Sequence, residues 1–125
     1  MATAVKTRDI GQHYEKLAGR YLKRNGYQLV QRNFHSRYGE IDLIMRNHQF
    51  IVFVEVRYRS QPDQVHPLET ITPRKQKAIQ QTAQSFLQRS EWSVLQPRFD
   101  VIGITPSRRL ISLNPVHVDW IKNAF

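Results

Sequence analysis

Apolar residues recur along this chain at two different periods, and each change of period marks an element. From Asp9 to Asn25 the residues Ile10, Tyr14, Leu17, Ala18, Tyr21 and Leu22 fall at helical spacing, and Asn25-Gly26 supplies a stop. This predicts a first helix, with residues 1–8 as a flexible tail ahead of it. Three strand-like runs follow: YQLVQRNF from Tyr27 to Phe34, Gly39 to Arg46, and Phe50 to Tyr58, with Asn47-His48 as the hairpin loop between the last two. The segment RSQPDQVHPLETIT (59–72) holds two prolines and little periodicity, which marks a long loop.

Thr72-Pro73 then offers an N-cap with proline at the first helical position, and Ala78, Ile79, Ala83, Phe86 and Leu87 form an apolar stripe. A second helix is predicted to about Arg89. RFDVIGI (98–104) and LISL (110–113) read as two last strands joined by a turn at Pro106 to Arg109, before a tail ending DWIKNAF that reads as a short helix or turn. The order αβββαββ implies an α/β domain spanning 1–125, with a mixed sheet covered by helices on one or both faces.

One strand carries an anomaly. Within the apolar run IVFVEV stands Glu55, and burying a carboxylate costs several kcal/mol unless something compensates it. Side chains alternate across a strand, so Ile51, Phe53, Glu55 and Arg57 share one face, as do Glu40, Asp42 and Ile44 on the strand before. A two-residue hairpin loop sets Glu40 opposite Glu55 and Asp42 opposite Phe53. A four-residue loop sets Asp42 opposite Glu55 and Glu40 opposite Arg57, and both registers gather the four charges on one face. Opposed carboxylates repel unless a cation sits between them, and Mg²⁺ commonly uses one or two carboxylates plus a substrate phosphate. Against this stands a plainer reading, in which Glu55 is a gatekeeper charge on an edge strand and Glu40 pairs with Arg57 or Arg37 at the surface.

Charge adds a partner class. Lysine and arginine number 19 against 10 acids, a formal +9, which points to a polyanion and first to nucleic acid. The basic residues are spread along the chain and form no amphipathic basic helix, so a membrane partner is not expected. There is no cysteine, which excludes disulfides, thiolate metal sites and cysteine nucleophiles and fits a reducing cytoplasm. The start, MATAVKTRDIGQHYEK, has neither an apolar core nor a cleavage pattern, so neither export nor anchoring is expected.

Asp42 followed after a hairpin by Glu55-Val56-Arg57 resembles the core of the PD-(D/E)xK (restriction endonuclease-like) nuclease superfamily, whose scaffold is αβββαβ. More closely, GEIDLI, FVEVRYRS, RFD and the terminal IKNAF resemble the bacterial YraN-like family over nearly the whole chain. Archaeal Holliday-junction resolvases are similar in the first half, with a helix glutamate that Glu15 would match; a solvated Glu15 is the plainer alternative. The resemblance implies a metal-dependent endonuclease that hydrolyses DNA, branched DNA included, with Asp42, Glu55 and Glu15 holding Mg²⁺ or Mn²⁺. Junction cutting would further imply a homodimer. Two positions depart from the pattern: Ile41 replaces a proline that is not a ligand, and Arg57 replaces the lysine. A guanidinium stays protonated and cannot act as a base, although it can stabilise charge on the phosphorane.

Lys75 opens the second helix on the stripe of Ile79 and Phe86, where it either reaches the strand ends in place of that lysine or snorkels at the surface. Arg37, Arg59, Arg74 and Tyr58 are the expected nucleic-acid contacts within a larger basic set that includes Arg20 and Arg24. The five histidines show no metal-ligand spacing, and there is no glycine-rich phosphate loop. Asp100, a charge in another apolar strand, is expected to have a hydrogen-bonded structural role. The alternative function is a nucleic-acid-binding module of the same fold, its chemistry lost with the lysine; a third is an adaptor for an acidic protein.

Overall fold

A computed structural model describes residues 2–59, 66–106 and 116–125, with side chains from residue 9 onward except Ser90. The first helix, α1 (Ala2–Arg24), starts ahead of the Asp9 expected from periodicity and takes in residues 2–8, which had been read as a tail. Ala2, Ala4 and Lys6 favour helix without adding to the apolar stripe, so the pattern alone did not register them. The helix ends where Gly26 adopts φ +92°. Tyr27 N–H then bonds Leu22 O and Gly26 N–H bonds Lys23 O, both at 3.1 Å, a closure that needs a left-handed residue.

Strands β1 (Gln28–Ser36), β2 (Gly39–Arg46) and β3 (Phe50–Tyr58) pair antiparallel in sequence. Helix α2 (Pro73–Leu87) then crosses over to β4 (Gln96–Pro106), which runs parallel to β3, and β5 (Val116–Ile121) returns antiparallel along the edge. The result is a five-stranded mixed sheet in the order β1-β2-β3-β4-β5. From α1 to β4 the order is αβββαβ, that of a restriction endonuclease-like core.

Period-two alternation splits the core between the two faces. Val52 and Val54 join Leu43, Met45, Ile102 and Ile104 under Ala18 and Leu22 of α1. Ile51 and Phe53 join Ile44 and Val101 under Ile79, Ala83 and Phe86 of α2. Glu55 belongs by alternation to the α2 side. Among the described residues no helix is long and apolar enough to cross a membrane.

The C-terminal end differs from expectation. LISL lies outside the described residues. The tail expected as a helix or turn contributes Asp119, Trp120 and Ile121 to β5, because Val116, Val118 and Trp120 alternate with His117 and Asp119 and pack on the α1-side core. Polar His117 and Asp119 between the apolar positions disguised that strand.

Asp100 anchors this edge, in the structural role expected of it. It is fully buried, and its two oxygens accept Arg98 Nε (2.9 Å), Arg98 Nη2 (2.8 Å), Trp120 Nε1 (2.9 Å) and Asn123 N–H (3.0 Å). Arg98 also donates to Tyr27 Oη at 3.0 Å and lies over the Phe50 ring. Every acceptor is satisfied, so β1's entrance, β4, β5 and the tail are fixed by one ion pair. Asp100→Ala leaves Arg98 buried and unpaired and should cost ~3–5 kcal/mol in urea unfolding. Asp100→Ala combined with Arg98→Met should recover part of that loss; equal stability of the single variant and the parent would contradict the anchoring role.

Candidate active site at the ends of the parallel strands

Arg46 pairs with Ile51, so the hairpin adopts the longer of the two loops. Asn47 decides this: its Oδ1 accepts the N–H groups of Gln49 (2.9 Å) and Phe50 (2.7 Å), while its own N–H bonds Phe50 O (3.0 Å). Continuing the register sets Asp42 across from Glu55 and Glu40 across from Arg57. Main-chain pairing of β2 with β3 ends at Leu43 opposite Val54, and beyond it Asp42 Oδ2 accepts Val56 N–H at 2.8 Å. The two strands part at the point where the carboxylates stand.

Glu55 is only 5% exposed, and two cations compensate it. Arg57 Nη2, on the same face of β3, lies 3.0 Å from Glu55 Oε2, and Lys75 Nζ lies 3.6 Å from the same oxygen. Lys75 reaches there because α2 begins there: Thr72 Oγ1 caps the helix by accepting Lys75 N–H at 3.1 Å. The approach to that cap is a 3₁₀ turn, Pro67–Thr70, seated on the sheet over Gly103. A Cβ on Gly103 would stand 2.3 Å from Pro67 Cγ, so only glycine lets the turn lie this close.

Among the described residues the second carboxylate has no such cation. Burial and then the charge of Glu55 push the Asp42 carboxyl from its ordinary 3.8 up to about 7, although the Val56 amide pulls the other way. Glu15 approaches from α1. Its Oε1 accepts Asn33 Nδ2 at 3.1 Å, and its pKa is raised by burial and by the charges of Asp42 and Glu40. Glu40 sits at the rim, where its Oε1 lies 3.2 Å from His35 Nε2.

The structure thus brings Asp42, Glu55, Arg57 and Lys75 together, with Glu15 beside Asp42 and Glu40 at the margin. Tyr58, 39% exposed, ends β3 and stacks on Tyr14 at 4.0 Å with the rings 11° apart. Tyr14 is held neutral, its hydroxyl pushed up to about 12 by burial and by Tyr58. Arg37 donates to Tyr38 Oη at 2.7 Å in the exposed β1–β2 turn, and Arg74 is exposed in the first turn of α2. Arg59 N–H bonds Ile104 O at 2.9 Å, which fixes its backbone at the end of β4. Sequence reasoning missed Asn33, His35 and Tyr14. Asn33 holds φ +51° in mid-strand, and no local pattern marks it.

Among the described residues no three carboxylates or imidazoles stand in mutual metal-ligand geometry, so this is no all-protein cage. A raised Asp42 beside a buried Glu55 does suit a hard cation that retains waters and takes its remaining ligands from a phosphate.

Fold and site together define an α/β protein with a carboxylate pair and two cations where parallel strands β3 and β4 end. The chain belongs to the uncharacterised protein family UPF0102, whose profile matches residues 14–104. A UPF0102 protein of Coxiella burnetii is 42% identical over 119 residues, covering 94% of this chain and 92% of the relative. One of Nitrosococcus oceani is equally similar, at 42% over 119 residues with the same coverage. One of Vibrio cholerae is 39% identical over 122 residues, covering 96% and 94%.

The Asp42 shift has a measurable consequence in metal-free buffer. With a folded pKa of about 7 against an ordinary 3.8, the native state holds a proton that the unfolded chain releases between those values, so stability falls as pH rises through that window. The fall should reach ~3 kcal/mol by pH 8. Asp42→Asn should flatten it, as read by urea unfolding from pH 4.5 to 8 in EDTA; an unchanged slope in the variant would contradict this account of Asp42.

Proposed function

We propose that this protein is a metal-dependent phosphodiesterase of the PD-(D/E)xK superfamily that cleaves nucleic acid, DNA in the first instance. The observation that carries the reading is Lys75 Nζ, 3.6 Å from Glu55 Oε2. Helix α2 delivers an amine to the carboxylate pair at the place where the strand itself supplies only the guanidinium of Arg57. Asp42 and Glu55, with Glu15 beside them on α1, would hold Mg²⁺ or Mn²⁺. Such an ion, when bound, makes a water nucleophilic at neutral pH and neutralises charge on the phosphate.

The chain's own groups divide the remaining work. Lys75 Nζ, a compact donor beside Glu55, would orient the attacking water, whose proton passes to solvent. Arg57 would stabilise negative charge on the phosphorane. Arg37, Arg74 and the other exposed cations contribute affinity without sequence information. Branched DNA is the substrate suggested by the resolvase resemblance, and it would require two such sites and hence a homodimer.

A second reading has its own support. Glu55 already has two cations within 3.6 Å, so it can persist buried without a metal, and the same fold would then serve as a nucleic-acid-binding module.

Gel assays with branched, single-stranded and duplex DNA separate the two. Cleavage should require Mg²⁺ or Mn²⁺ and vanish in an Asp42→Ala, Glu55→Ala double variant. Lys75→Ala should lower the rate ~10²-fold, and Lys75→Arg, a planar fork in place of a point charge, should restore it only in part. DNA retarded but uncleaved, equally by parent and double variant, would overturn the hydrolase and leave the binding module.

A further inference from the structure

Both sides of α1 border a hollow, and the two hollows differ in charge. On one side Glu15 and Glu40 line a concavity beside Asp42, with Asn33 and His35. On the other, a groove of about 670 Å³ runs between α1 and edge strand β5, lined by His13, Tyr14, Arg20, Tyr21, Arg24 and His117 over an apolar floor. Among the described residues no carboxylate lines the groove, which Pro106, Val116 and Val118 close at the β4–β5 end. Asp119 lies next to it, 3.1 Å from His117 at an exposed position.

The spacing of these residues is set by the helix. Arg20 and Arg24 stand one turn apart on α1, ~6 Å along its axis, which is the scale of one nucleotide step in an extended strand. Tyr14 and Tyr21 lie two turns apart, and Tyr21 is held edge-on against Trp120 of β5. Tyr14's ring stacks on Tyr58 at 4.0 Å, and Tyr58 ends β3 with 39% of its surface exposed. By alternation Tyr58 lies on the α1 face of the sheet, opposite the face of Glu55 and Arg57.

We propose that the groove between α1 and β5 binds single-stranded nucleic acid, with phosphates on Arg20 and Arg24 and a base on the exposed part of Tyr58. Charge complementarity and shape select this occupant. A duplex turns phosphates outward on a convex surface and hides its base faces, so it has nothing to place on a tyrosine ring. A single strand exposes both, and base stacking on aromatic side chains tolerates any sequence. The proposal rests on nucleic acid being the partner, as in the reading above, but not on its cleavage.

The test is fluorescence anisotropy in EDTA with a labelled oligodeoxythymidine strand and a duplex of equal length, using the full chain. Two charge-matched variants share one helix: Arg20→Ala, Arg24→Ala within the groove, and Lys16→Ala, Lys23→Ala at exposed positions outside it. The groove pair should weaken single-strand binding at least tenfold and reduce its log K against log salt slope by ~1.4, the value for two lost phosphate contacts on a single strand. The outer pair should change affinity less than threefold. Tyr58→Leu should cost the single strand about tenfold and the duplex nothing, with circular dichroism confirming the fold.

Equal losses in the two charge pairs, duplex affinity equal to single-strand affinity, or binding to neither would overturn the groove. Groove-dependent binding with no metal-dependent cleavage would remove the hydrolase reading alone. Cleavage with equal losses in the two charge pairs would remove the groove alone.

Discussion

The rest of this structure depends on the burial of one carboxylate, Glu55, in the middle of the most apolar strand. A lone ionised carboxylate in that position would cost several kcal/mol, and the pairing with Arg57 at 3.0 Å and Lys75 at 3.6 Å offsets the cost. Those partners constrain the chain around them. Arg57 fixes the exit of β3, while Lys75 ties the start of α2 to the sheet and so fixes the crossover that makes β3 and β4 parallel neighbours. The capping bond at Thr72 and the close approach of Pro67 to Gly103 hold that arrangement from outside. Charge is thus used here to set a geometry that apolar packing alone would leave loose.

The same arrangement leaves Asp42 uncompensated. It has a main-chain donor in Val56, but burial and then the negative charges of Glu55 and Glu40 raise its proton affinity. An acid of this kind near two fixed cations invites either a proton or a hard cation, and that choice underlies the functional reading. Asp100, on the neighbouring strand β4 opposite Val54 and on the other face of the sheet, is the instructive contrast. It is buried more completely than Glu55, yet two side chains and a backbone amide fill its acceptors and leave it no capacity for chemistry.

Much of this was legible in the sequence because the sheet's period is two. The bounds of β2 and β3 and the shared face of Asp42, Glu55 and Arg57 follow from alternation, and the choice between hairpin registers turned on the side chain of Asn47, whose hydrogen bonds are not visible as a pattern. Lys75 was placed on the inner stripe of α2, but its distance from Glu55 depends on how a proline turn seats on Gly103, a long-range fit with no local signal. Glu15 reaches Asp42's neighbourhood through Asn33 in a left-handed conformation, equally silent in sequence. β5 went unread because histidine and aspartate interrupt it, although Val116, Val118 and Trp120 kept the period. Membership of UPF0102 over 14–104 covers α1 from Tyr14 to the Ile104 end of β4, the span that holds every residue of the carboxylate site.

The central claim is that Asp42 and Glu55 form one divalent-cation site. Titration of the metal-free protein with Mn²⁺, followed by electron paramagnetic resonance of the free ion, tests it most directly. The account predicts a single class of bound Mn²⁺, tightened by a nucleotide phosphate and lost in both Asp42→Asn and Glu55→Gln variants that remain folded. Equal Mn²⁺ uptake by the parent and both variants, or none by the parent with phosphate present, would contradict it.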